Sequence, residues 1–196
     1  MTTMPLTAGQ AYLDSLQRHI SAVQTAGIRL GLPFELLKKH DQSKFSQEEF
    51  MPYALNFFME DGTPRPKPEE PGSKDIQIEY NFTLAWLHHM HLNDHHWQHW
   101  IFPDAYSKPT LVEIDTMTED GVMKMPSQCV LEMISDWMGA SYTYTGSWDM
   151  KEWLESNMPR ITLHPKTAEY LRAELIRFSC AHYRTVVDNT SFKHEL

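Results

Sequence analysis

An adjacent pair, His40-Asp41, opens the segment His40-Asp41-Gln42-Ser43-Lys44. Such a pair at a helix end can place one imidazole nitrogen and one carboxylate oxygen on a single cation, a donor set that suits Mn, Fe, Co, Ni or Zn. A dipeptide carries little information alone, so its neighbours matter. His19 stands between Leu16 and Val23 on an apolar stripe and therefore points inward. It is either a buried histidine satisfied by a hydrogen bond or a ligand. Asp136 shares a helical side with Cys129, Glu132 and Met133. An ionised carboxylate on such a face needs a partner or a cation; the plain alternative is a surface or capping carboxylate.

Histidine is the unusual component. Of 11 in the chain, His88, His89, His91, His95, His96 and His99 lie in one short stretch. Histidine is the commonest metal ligand and the usual acid–base side chain near neutral pH. On a continuous helix His95 and His99, or His96 and His99, would be spaced as a ligand pair. Asn93-Asp94 interrupts the pattern and leaves the faces open. Trp86, Trp97 and Trp100 flank the stretch; core packing is their ordinary role, and stacking on a nucleobase is the functional one. Glu132 reads either as an orienter of a ligand histidine or as a helix-face charge.

The elements that must position these groups are helical. Thr7 and Gln10 form a capping box, followed by Tyr12, Leu16, Ile20, Val23 and Leu30 at helical spacing; Gly31 and Pro33 end that helix. Pro33 opens a second helix with Leu36 and Leu37 on its apolar face, and His40-Asp41 fall at its end. Ser46 and Glu49 read as another capping box, starting a helix through Phe58. Residues 61–74 are a Pro- and Gly-rich loop. A helix over 76–91 should carry Tyr80, Leu84, Leu87 and His88 on one stripe, and a shorter piece should run from Asp94 to Trp100. Residues 110–125 have the character of a small β-hairpin. Further helices are expected from Pro126 to Ala140, from a Ser147 cap to Asn157, and from Pro165 to near Val187.

Composition bounds the function. The 196 residues suit one domain, and a net charge of −9 argues against binding a nucleic-acid backbone. It does not argue against a small anion, because a bound cation reverses the local sign. No run of about 18 apolar residues occurs, so no membrane partner is expected. The first residues lack signal-peptide character, and the two cysteines, Cys129 and Cys180, make no disulfide framework. A cytoplasmic protein is expected, and the terminal Lys193-His194-Glu195-Leu196 reads as a chance echo of a retention signal. There is no Gly-rich phosphate loop, no Gly-x-Ser-x-Gly elbow and no Cys-x-x-Cys pair.

A histidine, then His-Asp, then a distant aspartate resembles the HD superfamily of metal-dependent phosphohydrolases. The family's usual His-Asp-x-Gly-Lys has Ser43 in place of its glycine here. A closer resemblance is to an uncharacterised group of bacterial and phage proteins. It rests on His40-Asp41-x-Ser43-Lys44-Phe45, on His89 and Asn93-x-His95-His96-Trp97, and on Met125-Pro126 leading to Asp136-Trp137. The resemblance implies that His19, His40, Asp41 and Asp136 hold a divalent transition metal. It implies that His89, His95 or His96 serves a second ion or acts as acid or base. Lys44 would neutralise a substrate phosphate, or be a surface lysine in a capping turn; Asn93 and Glu132 would support the ligands.

The resulting expectation is an all-α, single HD-type domain over 1–196, of about seven helices, with a metal core near 8–140 and C-terminal helices over 147–188. The activity expected is hydrolysis of a phosphate ester or anhydride of a small nucleotide, with one or two metal ions and a homodimer as the family's common assembly. A di-iron oxygenase of the same superfamily, or a metal- or nucleotide-binding protein without catalysis, are the alternatives.

Overall fold

The computed structural model describes residues 7–67, 75–102, 116–118 and 120–178. Among these the chain is all-α, with helices α1 (Ala8–Arg29), α2 (Phe34–Leu37), α3 (Phe50–Phe57), α4 (Ile76–Leu92), α5 (Ser127–Thr145), α6 (Lys151–Asn157) and α7 (Pro165–Phe178). Short 3-10 turns occupy Gln42–Phe45, Trp97–Trp100 and Met158–Arg160. Two compact units result: Met1–Ser21 with Lys39–Asn93, and Ala22–Lys38 with Asp94–Leu196.

In the first unit, Thr7 Oγ1 accepts the Gln10 amide and caps α1, while the Gln10 side chain turns to Asp14 instead of completing a capping box. The stripe of α1 buries Ala8, Tyr12 and Leu16 against Tyr53 and Ala54 of α3 and Ala85 of α4, with Phe50, Phe58, Phe82 and Trp86 packed around them. Tyr53 makes edge contacts with Phe82, and Tyr12 with Phe50. Burying side chains of this size stabilises by about 1.5–3 kcal/mol each. The same stripe of α1 carries His19 inward, so it is buried.

Two sequence expectations fail in this unit. On α4 the stripe Tyr80, Leu84 and Leu87 is exposed, and the buried residues are Ala85 and His89. A small residue lets α4 lie close to α3, and the flanking aromatics Phe82 and Trp86 fill the space beside it. Ser46 and Glu49 do not form the capping box. Helix α3 starts at Phe50 with Glu49 in the N-cap position but without a side-chain cap bond, and the Glu49 side chain is drawn into the interior by histidines of α4.

The second unit packs Leu30 with Met125, Val130, Met133, Ile134, Met150, Leu154, Met158, Leu163, Leu171 and Leu175. Trp97 and Trp100 pack against this core, as their ordinary reading holds. Two glycines permit close approaches here. A Cβ on Gly27 would lie 2.4 Å from Leu37 of α2, and one on Gly139 of α5 would lie 2.5 Å from the Val23 side chain and 2.8 Å from its backbone nitrogen.

Other boundaries shift slightly. Pro33 precedes α2 as its cap and the helix is a single turn. In the segment over 94–100 only Trp97–Trp100 wind, as a 3-10 turn in place of a helix. Ser147 does not cap α6, whose cap is Met150; Ser147 and Asp149 instead accept amides of Asp149 and Lys151. Helix α5 outruns its expected end at Ala140, and Gly146 closes it at φ +74. The hairpin is represented by isolated antiparallel bridges, Met117 with Met123 and Ile101 with Val122, around a turn at Gly121. Residues 110–115 of the expected hairpin, residues 68–74 of the expected loop and the part of the expected last helix beyond Phe178, with Cys180, lie outside the described residues. No described helix is long and apolar enough to cross a membrane.

Candidate metal centre

The centre of the first unit is the Asp41 carboxylate. Asp41 follows α2 in the left-handed region at φ 59, which no other described non-glycine residue adopts. Aspartate tolerates this conformation better than most residues, and such backbone outliers cluster at functional sites. The turn lets the next residues wind into the 3-10 turn, with the Lys44 amide donating to the Asp41 carbonyl at 3.0 Å. Asp41 is wholly buried.

Three imidazoles converge on it. His19 Nε2 lies 3.2 Å from Asp41 Oδ2, His40 Nε2 lies 3.5 Å from the same oxygen, and His89 Nε2 lies 3.3 Å from Oδ1. The Lys44 ammonium lies 2.6 Å from Oδ2 and 5.6 Å over the Tyr53 ring. Burial alone would raise the Asp41 pKa. The charges of His40 and Lys44 and hydrogen bonds with His19 and His89 outweigh it and hold the carboxyl well below its ordinary range. His19, His40 and Asp41 each offer a ligand atom within 4.8 Å of one another. These buried side chains could hold a metal ion, and the imidazole–carboxylate chemistry of the set fits a divalent transition metal.

A second buried carboxylate, Glu49, backs this group. Its Oε1 lies 2.7 Å from His88 Nδ1 and its Oε2 lies 2.9 Å from His89 Nδ1. Ser43 Oγ donates to Oε2 at 3.1 Å. Burial works to raise the Glu49 pKa, and the hydrogen bonds from His89, His88 and Ser43 overcome it, so the group titrates below its usual range. Asn93 caps α4 and donates from Nδ2 to Ser43 Oγ at 2.9 Å and to the His89 carbonyl at 2.8 Å.

The expected site residues thus fall as follows. The first unit brings together His19, His40, Asp41, Lys44, His89 and Asn93. His89 joins Asp41 directly, where the resemblance assigned it to a second ion or to acid–base work. The second unit holds His95 and His96 with ring centroids 4.3 Å apart, and His95 Nδ1 lies 3.5 Å from Glu132 Oε1, so Glu132 does meet a candidate histidine. Asp136 stands one turn beyond Glu132 on α5, half-buried. His91 is exposed, and His99 lies edge-on to Trp100.

Sequence reasoning missed Glu49. Its spacing from Ser46 matched a capping box, and its histidine partners are about forty positions away, so no local signal pointed to them.

The fold and site define an all-α protein whose first unit buries histidines and an aspartate in a group able to hold a metal ion. Residues 9–176 match the model of a family of unknown function, DUF5662, and the chain belongs to that family. No curated protein and no solved structure matches the chain.

Proposed function

We propose that the chain is a metal-dependent phosphohydrolase acting on a phosphate ester or anhydride of a small nucleotide. The observation that carries this reading is the approach of three imidazole Nε2 atoms and one ammonium to a single buried carboxylate. His19, His40, His89 and Asp41 would hold the metal. The resemblance adds Asp136 as a further ligand, and an Asp136→Ala variant measures its share.

A bound divalent metal supplies Lewis-acid polarisation of a phosphoryl oxygen and lowers the pKa of a bound water. The chain's own residues do the rest. Burial of Asp41 and His89 excludes bulk water, which strengthens every electrostatic contact inside. Lys44, whose side chain is 14% exposed, is the cation of this group nearest to solvent; it supports charge developing on a phosphate. The His88 ring, partly exposed and bonded to Glu49, offers a polar edge beside the same group.

The test is metal analysis of purified protein, followed by a nucleotide hydrolysis screen with Mn, Fe, Co, Ni and Zn. Bound metal together with metal-dependent phosphate release, both lost in His40→Ala and Asp41→Ala, is expected. An unchanged rate in either variant overturns the mechanism. Oxygen consumption by iron-loaded protein without phosphate release replaces it with oxidative chemistry. Nucleotide retention without turnover replaces it with a binding role.

A further inference from the structure

We infer that Glu49 is a positioning residue of the proposed metal centre: its buried carboxylate fixes His89 as the Nδ1–H tautomer and so turns Nε2 toward the metal. The inference rests on the metal reading above, but the hydrogen bonds that carry it are independent of that reading.

Three groups surround His89 Nδ1: Glu49 Oε2 at 2.9 Å, Ser43 Oγ at 3.0 Å and Asn93 Nδ2 at 3.1 Å. Asn93 has two amide hydrogens, and both are used, one on Ser43 Oγ and one on the His89 carbonyl. Ser43 has one hydroxyl hydrogen, which reaches either Glu49 Oε2 at 3.1 Å or His89 Nδ1 at 3.0 Å. The Glu49 carboxylate has no hydrogen to give, so its 2.9 Å contact is a hydrogen bond only with the proton on the ring: Nδ1 donates to Glu49, and the Ser43 hydrogen is left for the same carboxylate. In the neutral ring Nε2 then carries the lone pair.

That nitrogen lies 3.3 Å from Asp41 Oδ1. A metal ion would lie between or beside these two atoms, in place of the proton through which His89 bonds Asp41 when no metal is bound. Ligating histidines generally donate their other ring nitrogen to a carboxylate or carbonyl, which sets tautomer and orientation. Glu49 stands where such a partner belongs. It is itself pinned from its other oxygen by His88 Nδ1 at 2.7 Å. Being wholly buried, it has little freedom to serve His89 in another rotamer.

The experiment has two readouts on the full chain. Two-bond proton–nitrogen NMR correlations report which ring nitrogens of His89 carry a proton in metal-free protein. Competition titration reports Co(II) affinity. Wild type should show Nδ1–H. Glu49→Gln, which offers an amide in place of one acceptor oxygen, should mix the tautomers and weaken Co(II) binding by about 10–100-fold. If wild type binds no Co(II) yet shows Nδ1–H, and Glu49→Gln loses that preference, the metal reading fails while the hold of Glu49 on His89 stands. A wild-type ring with its proton on Nε2 alone overturns the inference, and needs no variant to be seen. A Glu49→Gln protein that keeps the Nδ1–H ring overturns it too, whatever happens to its melting temperature or affinity.

Discussion

The interiors of the two units differ in what holds them together. The clustered core of the second unit is apolar, with Met125, Met133, Met150 and Met158 among Leu154, Leu163, Leu171 and Leu175. Methionine fills irregular gaps without demanding a partner. The first unit buries a smaller apolar cluster beside His19, His40, Asp41, Glu49 and His89. A buried charge costs several kcal/mol unless it is neutralised and hydrogen-bonded. The apolar cluster of the second unit is built for cohesion, although that unit also buries His95 against Glu132. The first unit carries a polar group whose cost is offset by mutual pairing and, in the proposed function, by a metal. Burial thus has no single meaning along this chain: for Val130, Met133 and Ile134 of α5 it reports packing, and for His89 of α4 it reports chemistry.

The strongest way to break this comparison is Asp41→Ala. Removing the shared carboxylate leaves Lys44 and three imidazoles without their anion. Urea unfolding of metal-free protein should show a loss of about 3–5 kcal/mol, and metal content should fall to background. Retained metal would end the role assigned to Asp41. Asp41→Asn sharpens the result, since asparagine also accepts the left-handed backbone at φ 59. It should lose metal with a smaller loss of stability.

Next in size is Leu171→Ala in the second unit, which should cost about 2–5 kcal/mol through a core cavity. The folded protein should bind as much metal as wild type. A drop in metal per folded chain would show that the apolar interior is not merely cohesive. Gly139→Ala should follow. An alanine in a helix normally stabilises by about 1 kcal/mol over glycine. Here the new methyl group meets Val23 side chain and backbone, and overpacking of about 1–3 kcal/mol should reverse the sign. A raised melting temperature would contradict that close approach.

The smallest effect concerns Cys129. Burial, with the Asp94 carboxylate beside it, pushes its thiol up to about 12. An unfolded thiol ionises near 8.5. The folded state thus holds its proton more tightly, a contribution fully present below pH about 8.5 and lost progressively as pH rises toward about 12. In a Cys180→Ser background, iodoacetamide should label native protein slowly, with a rate still climbing above pH about 9. A labelling midpoint near 8.5 would place Cys129 in an open environment and remove it from the apolar core.

Much of the candidate site was legible in the sequence because its signals are local. The inward stripe of α1 fixes where His19 points, since residues three and four apart share a helix face. The His40-Asp41 pair is adjacent, and Lys44 lies within the turn that Asp41 starts, so chain geometry alone brings them near. The all-α class followed from repeated apolar spacing and clear stop signals. What failed was non-local. Leu84 and Leu87 look like core residues by hydropathy, yet α4 turns Ala85 and His89 inward, because close packing against α3 needs a small residue there. Glu49 fits a capping box by spacing, but two histidines of another helix compete successfully for its oxygens.

The sequence by itself determined the helices and the neighbourhood of His40, Asp41 and Lys44, because hydrophobic period and backbone stereochemistry act over a few residues. Only tertiary structure decided that His89 meets Asp41 and that Glu49 sits behind His89. Those contacts join residues about forty to fifty positions apart, and which side of α4 turns inward depends on shape matching between helices, a property that no short stretch of sequence contains.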